Sequence, residues 1–166
     1  MATEKLKFKL ELYATMWDKP PHVEVLVNDR EQFRSYFNED ITSTKENPTV
    51  IEFEHECESD HKDGYVLKLK RSGKDMDQCV VDNDGNILKD QLLCIKSIEI
   101  DELDLGALVY EGIYTPEYPE PWHSQQKTLG NPPPLLFNNC DNMGHNGEWE
   151  FKFSSPFYMW LLENLY

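Results

Sequence analysis

The sequence predicts a mainly β protein: an antiparallel two-sheet β-sandwich, jelly-roll-like in its strand succession, closed by a short C-terminal helix. Apolar and charged residues alternate with a period of two in several segments, as half-buried strands require. Turn pairs and glycines separate those segments, and only the end of the chain carries helical start signals. No strand–helix–strand rhythm is present, which excludes a doubly wound parallel sheet. At 166 residues, 39% hydrophobic and 28% charged, the chain has the size and composition of one globular domain, so residues 1–166 are read as a single sandwich.

Leu6, Phe8, Leu10, Leu12 and Ala14 alternate with Lys5, Lys7, Lys9, Glu11 and Tyr13 to make the first strand. Asp18 to Pro21 interrupts it. Val23, Val25 and Val27 form a second strand up to Asn28-Asp29, a pair suited to closing a short hairpin. Arg30 to Asn47 is weakly patterned, anchored only by Phe33, Tyr36 and Phe37. Ile51, Phe53, His55 and Cys57 then share one face opposite Glu52, Glu54 and Glu56. After the polar turn Glu58 to Gly64, Tyr65, Leu67 and Leu69 oppose Lys68 and Lys70, so the two runs are expected to pair as one hairpin with a glutamate stripe facing a lysine stripe. Such a ladder stabilises by roughly 0.2–1 kcal/mol per pair and fixes register, which accounts for these carboxylates without catalysis.

Asn83-Asp84-Gly85 reads as a hairpin turn between Cys79–Asp82 and Asn86–Leu88, and Leu92 to Ile100 as a central strand. Asp104 to Tyr110 fits one helical turn. From about 114 to 147 the chain loses its period and holds six of the ten prolines, which marks a long irregular loop. Trp149, Phe151 and Phe153 restore the alternation. Ser155 as N-cap and Pro156 in the first turn then open a closing helix at 156–165, amphipathic from Phe157 to Leu165. The expected core is Leu6, Phe8, Leu10, Phe53, Leu67, Leu69, Ile98, Ile100, Phe151 and Phe153.

Sixteen basic against 31 acidic residues leave a net charge of −15, which disfavours nucleic acid and anionic membranes as partners. No apolar run approaches the roughly 20 residues that span a bilayer, and Met1 to Leu10 lacks a signal-peptide core. Cys57, Cys79, Cys94 and Cys140 form no CxxC pair and are expected as reduced thiols.

Catalytic motifs are missing: no GxSxG, HExxH or P-loop spacing occurs, and Glu111, Glu117 and Glu120 have no separation fixed by sequence that would make them a glycosidase pair. The expectation is a protein without enzymatic activity. His55, Cys57, Asp60, His61 and Asp63 are donor-rich but match no closed zinc spacing, and a core histidine is the simpler reading. Asp82 to Asn86 cannot be an EF-hand, because Gly85 at the sixth position would place Val80 first and Gln91 twelfth.

The irregular stretch carries the binding signal. Tyr114, Tyr118 and Trp122 are interleaved with Pro116, Pro119 and Pro121, which stiffen the backbone and are expected to hold flat rings outward for a sugar or protein surface. Trp17, beside Pro20 and Pro21, is a further candidate ring. Asn139, Asp141 and Asn142, in a loop crowded with asparagine, offer hard oxygen ligands to Ca2+, with Asp141 the only charged donor between Asn138 and Asn146.

Two stretches carry a resemblance. They are Gly64-Tyr65-Val66-Leu67-Lys68-Leu69-Lys70-Arg71-Ser72-Gly73-Lys74, followed by Ile95 to Leu105, and the closing Gly144-His145-Asn146-Gly147-Glu148-Trp149 through Ser155-Pro156-Phe157-Tyr158-Met159-Trp160-Leu161-Leu162-Glu163-Asn164. Together, over most of the chain beyond about Val50, they resemble a family of small uncharacterised proteins of marine tailed phages, notably cyanophages. The strand succession, with its Gly-Lys hairpin edge, is also similar to calcium-dependent xylan-binding jelly-roll modules, though no ligand residue carries over from these. The resemblance implies a phage binding module acting in the virion or the infected host cytoplasm. Two alternatives stand beside it: an acidic host-directed inhibitor, suggested by the net charge, and a structural virion protein that self-associates through its aromatic loop and closing helix.

Overall fold

A computed structural model describes residues 3–15, 21–36, 46, 48–59, 63–73, 80–84, 87–89, 92–138 and 142–165. In chain order these form β1 (Thr3–Thr15), β2 (His22–Val27), β3 (Arg30–Tyr36), β4 (Thr49–Glu58), β5 (Tyr65–Ser72), β6 (Val80–Val81), β7 (Ile87–Lys89), β8 (Leu92–Ile100) and β9 (Leu103–Asp104). A 3-10 turn (Gly106–Glu111), β10 (Ile113–Pro116), α1 (Trp122–Thr128), β11 (Phe137–Asn138), β12 (Asn142–Met143), β13 (Gly147–Phe153) and α2 (Phe157–Leu165) follow.

The strands make two antiparallel sheets, ordered β12-β8-β1-β4 with β9 beside β8, and β11-β10-β13-β5-β2-β3; β6 and β7 pair separately. The chain passes repeatedly from one sheet to the other, so that β1, β4, β8 and β12 lie in the first and β2, β5, β10 and β13 in the second. This winding closes both sheets around one core, as in the expected β-sandwich. All ten anticipated core residues belong to it, nine of them buried and Phe53 partly so. Phe8 stacks on Phe53 at 4.8 Å and meets Phe153 of the opposite sheet at 6.0 Å, joining the two layers.

The winding corrects one expected pairing. β4 does not form a hairpin with β5: the two strands lie in different sheets, and each charged stripe meets a different partner. Glu52, Glu54 and Glu56 lie opposite Lys9, Lys7 and Lys5 of β1, with Lys5 Nζ 3.3 Å from Glu54 Oε2. Lys68 and Lys70 lie opposite Glu150 and Glu148 of β13. Lys68 Nζ is 3.3 Å from Asp29 and 3.6 Å from both Glu148 and Glu150. Burial of Lys68 opposes its charge, but these three carboxylates outweigh burial and raise its pKa.

Asn28 and Asp29, at φ 47° and 65°, close the β2–β3 hairpin with the left-handed pair of a type I′ turn. Asn28 also bonds across to β5: its N–H donates to Val66 O at 3.0 Å, and its Oδ1 accepts the Val66 N–H at 2.8 Å. The weakly patterned Arg30–Tyr36 segment is therefore a strand, supported by pairing with β2 more than by its own alternation.

The described residues of 114–147 are likewise more ordered than a loop, since they hold most of β10 and all of α1, β11 and β12. These elements are too short to impose a readable period. At the end of the chain, α2 packs Phe157 against Phe153 at 6.1 Å and Trp160 against Phe151 at 5.6 Å. Its start is not capped by Ser155 as expected. Glu4 Oε2 accepts the Phe157 N–H at 2.7 Å and also receives the Ser155 hydroxyl, because a carboxylate is the stronger acceptor at the positive end of a helix. Tyr158, Met159 and Leu162 are left exposed. Among the described residues, no helix is long and apolar enough to cross a membrane.

Candidate functional site

β10 ends where Pro116 pairs with Gly147 at the start of β13. The Glu117 N–H donates to Asn146 O at 2.6 Å, which ties the departing chain to the 144–146 segment. Pro119 and Pro121 then turn the backbone into α1, their carbonyls accepting the N–H groups of His123 at 2.9 Å and Gln125 at 3.0 Å. Glu120 Oε2 accepts Ser124 Oγ at 2.7 Å and the Ser124 N–H at 3.3 Å. The Ser124 hydroxyl bond holds the Glu120 carboxyl below its usual range, so Glu120 serves as an ionised helix anchor.

This corner assembles three rings around Tyr118. Its centroid is 5.7 Å from Trp122, 5.2 Å from His123 and 4.9 Å from His145, and Trp122 lies nearly parallel to His145 at 6.1 Å. The Tyr118 hydroxyl donates to Pro134 O at 2.5 Å, fastening the segment that leads to β11. Burial of the phenol pushes its pKa up, so it stays a neutral donor. Tyr118, Trp122, His123 and His145 are each half-buried and keep part of their ring surface in solvent.

Tyr118 and Trp122 are thus brought together as anticipated, but Tyr114 is not one of the outward rings. It is only 2% exposed, stacks on Phe137 at 5.8 Å, receives the His145 N–H at 2.9 Å and donates its hydroxyl to His145 O. β10 pleats Tyr114 inward and Ile113 outward, so Tyr114 positions His145 from beneath. Trp17, Asn139 and Asp141 lie outside the described residues. Asn142 is exposed on β12, opposite Cys94. Among the described residues no group of three or more His, Cys, Asp or Glu side chains could hold a metal ion.

In the His55 and Cys57 region, Asp60 and His61 are outside the described residues. Cys57 Sγ lies 3.7 Å from His55 Nδ1, and burial, helped by Glu4 and Asp101, pushes the thiol up to about 12. A thiol held protonated is neither a nucleophile nor a ready metal ligand.

His123 and His145 escaped the sequence reading because neither shares a periodic face with Tyr118; turns and α1 bring them to it. Arg71 left a signal, since it occupies the position after Leu67 and Leu69 where the inward alternation calls for an apolar side chain. It is 1% exposed, and its position borders a cleft of about 290 Å³ that Glu117 and Gly147 also line. Comparison with protein-family models, curated proteins and solved structures returns no match.

Proposed function

We propose that this chain is a non-catalytic binding module that takes carbohydrate on the ring surface of Tyr118 and Trp122. The observation that carries this reading is the corner itself, where two flat rings are backed by His123 and His145 and fastened by the Tyr118–Pro134 hydrogen bond. Rings already held in place lose little entropy when a sugar stacks on them. The resemblance to phage proteins adds that the module is virion-associated or accessory. Ca2+, suggested by Asn139, Asp141 and Asn142, enters as a condition of the test. Glycan-array and affinity-gel screening of the full chain, with calcium and with chelator, should give retention by at least one glycan class. Uniform silence under both conditions overturns the proposal.

A second reading has its own observation in Tyr158, Met159 and Leu162, exposed together on α2. These side chains suit contact with another copy in a virion or assembly role. Sedimentation at rising concentration tests this, and a monomer throughout rejects it. The acidic host-directed alternative has less support, because lysines stand opposite the glutamates of β4 and β13.

A further inference from the structure

The fold leaves one long strand edge open. β4 stands at the end of the first sheet and, among the described residues, pairs with β1 alone, through ten residue pairs without a register shift. The other strands at sheet ends are short or irregular: β11 and β12 have two residues each, and β3 meets β2 through a shifted register. In an antiparallel ladder alternate residues turn N–H and C=O away from the partner strand, so the far side of β4 offers a row of main-chain donors and acceptors. A proline, a bulge or an outward lysine ordinarily blunts such an edge. β4 has none of these.

The two faces of β4 would accept different side chains. Phe53 and His55 lie on the core side, opposite Phe8 and Leu6 of β1, yet both are only partly buried. Phe33 of β3 likewise packs on the core while keeping part of its surface exposed. Arg30, at the start of β3, is close enough to His55 for its charge to act on the ring, so the β4 and β3 edges share one flank of the sandwich. The second sheet has six strands and the first only β12, β8, β1 and β4 in line, and a strand added beside β4 would bring further apolar cover to Phe53.

On the outer side, Glu52, Glu54 and Glu56 are exposed. Lys5 is 3.3 Å from Glu54, but the hollow of about 550 Å³ on this face sets Lys7 and Lys9 against Glu52, Glu54, Glu99 and Glu102, which leaves carboxylates in excess. A second copy is a poor occupant, since antiparallel pairing of β4 with itself would set glutamate opposite glutamate. From the open edge and its two faces we infer that β4 binds an extended segment of another protein, in which lysine or arginine alternates with apolar residues. The segment adds as a strand: main-chain hydrogen bonds supply affinity, its cations lie beside Glu52, Glu54 and Glu56, and its apolar side chains cover Phe53. This site uses no residue of the ring corner and stands independently of the carbohydrate reading.

Three short peptides test this on the full chain: lysine alternating with valine, glutamate alternating with valine, and lysine alternating with glycine. The lysine–glycine peptide carries the same charge but has low strand propensity and nothing to cover Phe53, so it separates strand addition from attraction to a net charge of −15. In calorimetry the lysine–valine peptide should bind at least about tenfold more tightly than either control. Hydrogen exchange should show new protection at alternate amides of β4. The Glu52→Gln, Glu56→Gln double variant, which keeps the Glu54–Lys5 pair, should weaken this binding about fivefold, the effect of two cross-strand charge pairs. No binding of the lysine–valine peptide, or equal binding of the lysine–glycine peptide, overturns the inference. Protection that appears only outside β4 overturns the edge as the site, and glutamate–valine binding of equal strength, or an unchanged affinity in the double variant, overturns the basic partner.

Discussion

Glu4 on β1 caps α2 at the opposite end of the chain, its Oε2 accepting the Phe157 N–H at 2.7 Å. The closing helix is thereby fastened to the first strand by a charged acceptor as well as by apolar packing. Glu4→Ala should destabilise the protein by about 1–2 kcal/mol, the range for a lost helix cap, and lower the urea midpoint. Glu4→Gln keeps an oxygen acceptor and should cost less. An unchanged midpoint in Glu4→Ala would show that packing alone seats the helix.

Phe8 and Phe151 test the core from opposite sheets. Phe8 stacks on Phe53 and reaches Phe153, whereas Phe151 lies between Trp149 at 6.2 Å and Trp160 at 5.6 Å. Truncating either to Ala should cost roughly 3–5 kcal/mol by leaving a ring-sized cavity. That is a large share of a total stability of about 5–15 kcal/mol. Equilibrium unfolding of each variant measures the cost, and a loss below about 1 kcal/mol would mean that neighbouring side chains collapse into the space.

Gly112 is required by close approach. Its φ of −66° suits any residue, but an added Cβ would sit 2.3 Å from Cε2 of the Trp149 indole. Gly112→Ala should therefore destabilise by about 1–3 kcal/mol through overpacking, despite a less flexible unfolded chain. Pairing it with Trp149→Phe, which removes part of the indole, should recover some of the loss.

His55 and Cys57 bracket a pH window. Burial, with the Arg30 charge second, lowers the His55 pKa from 6.5, so its contribution to stability is complete above 6.5 and is lost as pH falls. The Cys57 thiol, raised from 9.0 to about 12, contributes fully below 9 and loses that contribution as pH climbs toward 12. NMR titration of the His55 ring should show a midpoint below that of free histidine. Alkylation near pH 8, followed by peptide mapping, should modify Cys57 only after unfolding.

The strands and the closing helix were legible because burying one sheet face or one helix stripe writes a period into the sequence. β1, β8, β13 and α2 all show it. Partner choice left no such trace: the glutamates of β4 suit the lysines of β1 and of β5 equally well, and only the placement of β4 and β5 in different sheets decides for β1. At the candidate site, Tyr118 and Trp122 were legible as rings between prolines. Tyr114 was misread because its inward pleat depends on β10 pairing with β13, a contact distant in sequence. The Arg71 cleft combines residues from four strands and a loop, and local pattern marked only the arginine.

The ring corner separates stacking from loop anchoring. Tyr118→Phe keeps the contacts to Trp122, His123 and His145 and loses only the hydroxyl bond to Pro134 O. Its cost to stability should be about 1 kcal/mol, with glycan affinity nearly unchanged. Trp122→Ala removes a stacking surface and should weaken glycan binding about ten- to thirty-fold, the ~1.4–2 kcal/mol expected of an aromatic anchor. Trp122 is half-buried and outside the hydrophobic core, so this loss should come without a matching fall in the urea midpoint. Calorimetry and unfolding on the same preparations distinguish the two effects. If Tyr118→Phe and Trp122→Ala weaken binding equally, the corner acts by holding its loop in place, and ring stacking is not the source of affinity.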